Sequence, residues 1–140
     1  MAWNEFNRDD FTRAIAYAEK CVRWLKDVAD HKQDELGKKG IPIPPTGKVS
    51  PAEKRGILMR GPLNDVATSL FIIGSSEEKI YRHNKDEKNL EHREKAKRAY
   101  ESACRYTYAR TWDPEGFFWS PSEVACDHLK NLSDVPQSQD

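Results

Sequence analysis

Between Asn7 and Gly37 the apolar residues recur three and four places apart: Phe11, Ile15, Ala18, Val22, Leu25 and Ala29 form one stripe, with Tyr17, Cys21, Trp24 and Val28 beside it. Such spacing brings side chains to one side of a helix, so it predicts a long first helix with a wide apolar face. Asn7, with Asp10 three places on, offers a cap and a negative charge for its first turn, and Gly37 and Gly40 are its stop signals.

The pattern breaks at GIPIPPTGKVSP, residues 40–51, whose prolines cannot join a helix interior and favour extended geometry; this is read as a stiff linker. Ser50-Pro-Ala-Glu53 then reads as a helix start, with the serine capping, proline at the first helical position and the glutamate reaching back. The same grammar at Ser75-Ser-Glu-Glu78 and Ser120-Pro-Ser-Glu123 predicts two more helix starts. Gly61-Pro62 is expected to kink or restart the helix, because proline lacks a backbone donor and crowds the preceding turn. Leu63 to Ile73, the most apolar segment, is expected at the centre of the core.

From Ser75 to about Trp112 the chain is polar first and aromatic last, with a bend expected near His83-Asn84. Glu94 with Arg98, and Glu101 with Arg105, stand four apart, an arrangement that supports a solvated helix by about 0.2–0.5 kcal/mol per pair. Tyr100, Cys104, Tyr108 and Trp112 are also four apart, flanked by Ala96, Ala99, Ala103 and Thr107, and predict a helical face packed on a neighbour. Asp113-Pro-Glu-Gly116 is a turn sequence, after which Phe117, Phe118 and Trp119 are expected to fold back onto the core. These elements predict an all-α, single-domain bundle of four to five helices over residues 1–132, with the 40–51 linker inside it and 133–140 as a disordered tail.

Composition narrows the partners. The 23 basic residues equal the 23 acidic ones, so no global field draws the chain to nucleic acid or an anionic membrane, and any such contact needs a local patch. Cys21, Cys104 and Cys126 are an odd number without a CxxC pair, which argues against a disulfide framework and for a reducing compartment. The start MAWNEFNRDD is unlike a signal peptide and no run approaches the roughly 18 apolar residues of a span, so a cytoplasmic protein without membrane contact is expected.

Local catalytic signatures are sparse. His31, His83, His92 and His128 show no metal-ligand spacing, and PTGKVS has a GK pair without the phosphate-loop pattern. Cys104 and Cys126 offer thiols, but Cys126 and His128, two apart, diverge on a helix. Asp34-Glu35 and Asn64-Asp65 are too sparse for the magnesium-holding clusters of all-helical nucleotide pyrophosphatases, and Arg23 and His31 lie too far apart for the motif of HEPN ribonucleases. No enzymatic activity, metal or cofactor is therefore expected.

The run from Arg105 to Trp119 carries six aromatic residues, mostly assigned to the core by the stripe. Tyr106 lies off it, near Arg98, Arg105 and Arg110 in sequence, with Arg93 and Lys97 earlier on the same predicted helix; with Trp119 it is the aromatic most open to a surface role. Cations that track a backbone, combined with aromatic faces, are what single-stranded nucleic acid requires, although interleaved glutamates cancel part of this patch.

Three segments in order, AIAYAEKCVRWLKDVAD, ILMRGPLNDVATSLF and RAYESACRYTYARTW, resemble the small helical-bundle subunit of type III CRISPR effector complexes. The resemblance implies a non-catalytic subunit of a prokaryotic or phage defence complex that stacks along a filament and lines the path of guide and target RNA, with Arg55, Arg60, Arg105 and Arg110 as phosphate contacts. The zero net charge departs from that picture.

The leading expectation is a non-enzymatic interaction or assembly module with a protein partner or self-association. It rests on the missing catalytic constellation and on surplus aromatics near both termini, including Trp3 and Phe6. One rival is a subunit that binds the backbone of single-stranded RNA, which requires the arginines from 93 to 110 to gather on one exposed face. The other is a helical protein that sequesters a nucleotide in an enclosed cavity lined by arginine and tyrosine.

Overall fold

The structure, a computed structural model, describes residues 2–83 and 89–133. Among these the chain is mostly helical: α1 (Ala2–Asn7), α2 (Phe11–Lys38), α3 (Pro51–Leu58), α4 (Gly61–His83), α5 (Leu90–Cys104) and α6 (Pro121–Ser133), with a short hairpin of β1 (Thr111–Asp113) and β2 (Phe117–Trp119) between the last two.

The apolar stripe folds as α2, which buries Phe11, Ala14, Ala18, Ala29 and Leu36 and packs chiefly on α4. Its cap is Asp10, whose carboxylate accepts the Arg13 amide at 3.2 Å, and not Asn7. Asn7 instead ends α1, because Trp3 and Phe6 anchor that turn of helix on Phe71, Trp119 and Phe11. Asp9, at a φ of 60°, reverses the chain between the two helices.

The proline segment is non-helical, as its composition predicts, and it is docked. Gly47 and Phe118 exchange backbone hydrogen bonds of 2.7 and 2.9 Å. The Ser50–Glu53 capping box forms in full, Ser50 Oγ accepting the Glu53 amide at 3.1 Å and Glu53 accepting the Ser50 amide at 2.8 Å. α3 closes on Met59, and the helix restarts at Gly61-Pro62 as α4.

α4 overturns one predicted helix start. Ser75-Ser-Glu-Glu78 sits inside the helix, all four residues buried, because the apolar run before it carries the helix onward and Ser75, Glu77 and Glu78 find partners across the bundle. Leu63, Val66, Ala67, Leu70, Phe71 and Ile72 are buried, in line with the central role expected of this segment. α4 ends at His83; Asn84, the other half of the expected bend, lies outside the described residues.

α5 buries Ala96, Ala99, Tyr100 and Ala103, the first half of the aromatic stripe, and then stops at Cys104 instead of running on to Trp112. No glycine or proline ends it. Tertiary bonds do: Ser122 Oγ donates to the Cys104 carbonyl at 2.6 Å, Gln33 accepts the Tyr108 amide at 3.2 Å, and the Tyr106 hydroxyl donates to Asp30. Tyr108 is therefore buried outside the helix, with its hydroxyl on the Ile41 carbonyl at 2.6 Å, and Trp112 enters a strand.

Asp113-Pro-Glu-Gly116 makes the predicted turn. Asp113 Oδ1 accepts the Glu115 amide at 2.8 Å, and Gly116 takes a φ of 103° that a side chain would resist. The strands pair Thr111 with Trp119, Trp112 with Phe118 and Asp113 with Phe117, so the returning aromatics close the core as an antiparallel hairpin. Ser120 caps α6, accepting the Glu123 amide at 3.1 Å.

Cys104 and Cys126 form a disulfide, contrary to the expectation from cysteine spacing. They are 22 residues apart in sequence, but the packing of α5 on α6 sets their Cα atoms 5.3 Å apart, within bridging range. The cysteine count thus ceases to argue for a reducing compartment. Cys21 is free. Among the described residues no helix is long and apolar enough to cross a membrane.

Candidate functional site

The residues expected to form a basic aromatic surface are largely spent inside the fold. Arg110 is 3% exposed, and its guanidinium donates to the carbonyls of Pro44, Pro45, Thr107 and Ala109, tying the proline segment to the hairpin. Arg93 is buried and donates to the Leu132 carbonyl at 2.7 Å. Arg60 lies over the Tyr108 ring at 5.8 Å, and burial lowers its pKa.

Tyr106, expected at the surface, is 4% exposed. Burial and its hydrogen bond to Asp30 push its hydroxyl well above the ordinary tyrosine range. Trp119 is half-buried on Phe71, ring centroids 5.1 Å apart, and on Trp3. Arg55, Arg98 and Arg105 remain exposed, and Lys97 stands 4.0 Å from Glu94. Among the described residues neither Glu94 with Arg98 nor Glu101 with Arg105 forms an ion pair; Glu94 instead meets Arg93 at 3.3 Å and Lys97 at 4.0 Å.

Arg105 and Tyr106 do share a cleft of about 600 Å³ between α2 and the end of α5, with Lys26, Asp30, Gln33, Asp34, Lys38 and Ser102. Charges of both signs line it, and Lys26 is already matched to Asp30 at 2.6 Å. Its tyrosine presents neither a free ring face nor a free hydroxyl, because the ring is buried and the hydroxyl is bonded to Asp30.

Two adjacent glutamates build a buried polar layer that the sequence did not disclose. Glu78 accepts from the Tyr100 hydroxyl at 2.7 Å and from Arg82 at 2.7 Å, and lies 3.1 Å from His128 Nδ1. Burial pushes its carboxyl up, but the hydrogen bonds from Tyr100, His128 and Arg82 outweigh burial and leave it below its ordinary value. Glu77 turns toward α5, where both its oxygens lie 3.3 Å from His92 Nδ1; burial dominates there and raises its pKa. Glu78 is thus an ionised acceptor with both oxygens engaged, suited to bracing three helices. A groove of about 410 Å³ beside Glu77 and His92 is lined by Ile15, Ile73 and Ile80 with Lys95 and Arg98. The only signal for this layer was the Ser-Ser-Glu-Glu run at the end of the most apolar segment, whose partners lie on other helices.

The exposed apolar residues stand elsewhere. Trp24 is 78% exposed and Val28 53%, one turn apart on α2. Sequence spacing placed them beside the core stripe. Each is offset by roughly 100° from its buried-side neighbours Leu25 and Ala29, beyond the width that α4 covers. Leu58, Met59, Ile43 and Trp112 are also exposed, Trp112 with the Lys54 ammonium 4.2 Å over its ring.

Comparison with protein-family models, curated proteins and solved structures finds no match for the chain.

Proposed function

We propose that this protein is a non-enzymatic helical interaction module, a subunit of a larger assembly, and that its contact surface is the outer flank of α2 centred on Trp24 and Val28. The observation that carries the reading is the exposure of Trp24 on the longest helix of the fold, one turn from a second exposed apolar side chain. A large aromatic buries about 150–250 Å² when covered. At about 25 cal/mol per Å², covering the exposed 78% of this residue contributes roughly 3–5 kcal/mol to association. Tryptophan is also the residue type most enriched among the few that dominate binding energy. A rigid helix loses little conformational freedom on docking, which favours this face over a loop.

The alternatives draw less support. Of the arginines that would line an RNA path, Arg55 and Arg105 stay exposed, while Arg60 and Arg110 lie against the protein's own groups. In the cleft at Arg105 and Tyr106 the carboxylates of Asp30 and Asp34 stand among the cations and would repel a nucleotide phosphate. The test is capture from an extract of the native host with the full chain and with Trp24→Glu. Partner retained by the native chain and lost by a variant with an unchanged melting curve is the expected result. Equal capture by both overturns the assignment of the surface.

A further inference from the structure

We infer that the occupant of this flank is a second copy of the chain, its α2 lying antiparallel across the first. The inference rests on the reading of α2 as an interface and adds the partner. Tyr17, Lys20, Cys21, Trp24 and Val28 fall on one side of the helix by their three- and four-residue spacing. Along the solvent edge of that strip stand Lys20, Arg23, Asp27 and Asp34, all exposed.

Among the described residues none of these four charges has an intramolecular ion pair or side-chain hydrogen bond. Elsewhere on the same helix Lys26 meets Asp30 at 2.6 Å, and Lys32 and, from the cap, Lys39 both meet Glu35. On this edge the two residues before Trp24, Lys20 and Arg23, are positive, and the two after it, Asp27 and Asp34, are negative. This order is self-complementary. A two-fold axis near residue 26 sets Trp24 on the partner's Val28, Arg23 beside the partner's Asp27 and Lys20 beside the partner's Asp34.

In an antiparallel pair related by a two-fold axis each edge meets the same edge of the other helix, so four ion pairs form on one side of the indole contact. A parallel two-fold pair would instead turn this edge toward the opposite edge of the partner helix, so the four charges would not meet. The charge order therefore selects both the partner and its direction, while the two indoles contribute the affinity.

Sedimentation equilibrium of the full chain over a concentration and salt series tests this. The expected result is a monomer–dimer equilibrium that weakens with salt and is lost in Trp24→Glu. Lys20→Glu with Arg23→Glu, and separately Asp27→Lys with Asp34→Lys, should each be monomeric alone and should form a dimer when mixed, because mixing restores opposite charges; circular dichroism checks that each is folded. Dimers that persist in each charge-reversed protein alone overturn the antiparallel arrangement. A native chain that stays monomeric, yet captures a host partner that Trp24→Glu loses, overturns self-pairing and leaves the interface reading intact.

Discussion

Gly74 and Tyr100 meet with no room for a methyl group between them: a Cβ on Gly74 would stand 2.6 Å from Cδ1 and 2.7 Å from Cε1 of the ring. The ring is fully buried, and its hydroxyl is held by Glu78 at 2.7 Å and Ser75 at 3.2 Å, so it has no retreat. Alanine gains about 1 kcal/mol of helix propensity over glycine, against about 1–3 kcal/mol for overpacking a fixed core. Gly74→Ala is expected to lower stability by up to about 2 kcal/mol, read as a fall in the urea midpoint. A rise in that midpoint would show that Tyr100 is free to move.

The adjacent glutamates should respond to pH in opposite directions. Glu78 has a folded pKa below its ordinary 4.5, so its contribution is fully present above that value and is lost as pH falls through the lower, folded one. Glu77 has a folded pKa above 4.5, so it imposes no penalty below that value and an increasing one as pH rises through the higher, folded one. At neutral pH Glu78→Gln should therefore cost about 1–3 kcal/mol, a deficit that closes in acid. Glu77→Gln should stabilise the fold at neutral pH and change nothing in acid. Denaturation series of both variants from acid to neutral pH check the pair, and parallel pH curves would contradict the account.

Arg110 reads as a structural clamp, and its removal should damage the fold before it damages any binding. Alanine there leaves the carbonyls of Pro44, Pro45, Thr107 and Ala109 without their donor, at an expected cost of roughly 3 kcal/mol. Lysine should recover less than half, because one ammonium cannot reproduce the planar fork of donors. Hydrogen exchange offers a local readout: the Gly47 and Phe118 amides, paired at 2.7 and 2.9 Å, should lose protection in both variants. Unchanged protection would assign Arg110 no part in docking the proline segment.

Local grammar carried the fold a long way. The Phe11–Ala29 stripe, the Ser50 box, the Gly61-Pro62 restart and the Asp113–Gly116 turn each depend on residues within a few places of one another, and each formed where its spacing placed it. Sequence reading failed where distant partners decide. Ser75–Glu78 looks like a helix start because serine and glutamate do cap helices, and only His92, Tyr100 and His128 on other helices explain the burial of Ser75, Glu77 and Glu78. The end of α5 at Cys104 is set by Gln33, Asp30, Ser122 and Cys126, none of them within 17 residues on the chain. The same blindness turned Tyr106 and Arg110 into surface candidates. Their charge and ring are visible in the sequence, but the carboxylate and carbonyls that engage them are not. Trp24 failed in the other direction, since periodicity gives a residue's angle on the helix but not the width that a neighbouring helix covers.

Site-specific photocrosslinking most directly tests the claim that α2 presents an interface. A photoreactive amino acid is placed at position 28, next to Trp24, and separately at position 101, where Glu101 is exposed on α5. The account predicts discrete adducts from position 28, of twice the chain mass or heavier, and none from position 101. Absence of adducts at position 28, or equal labelling from both, would contradict it.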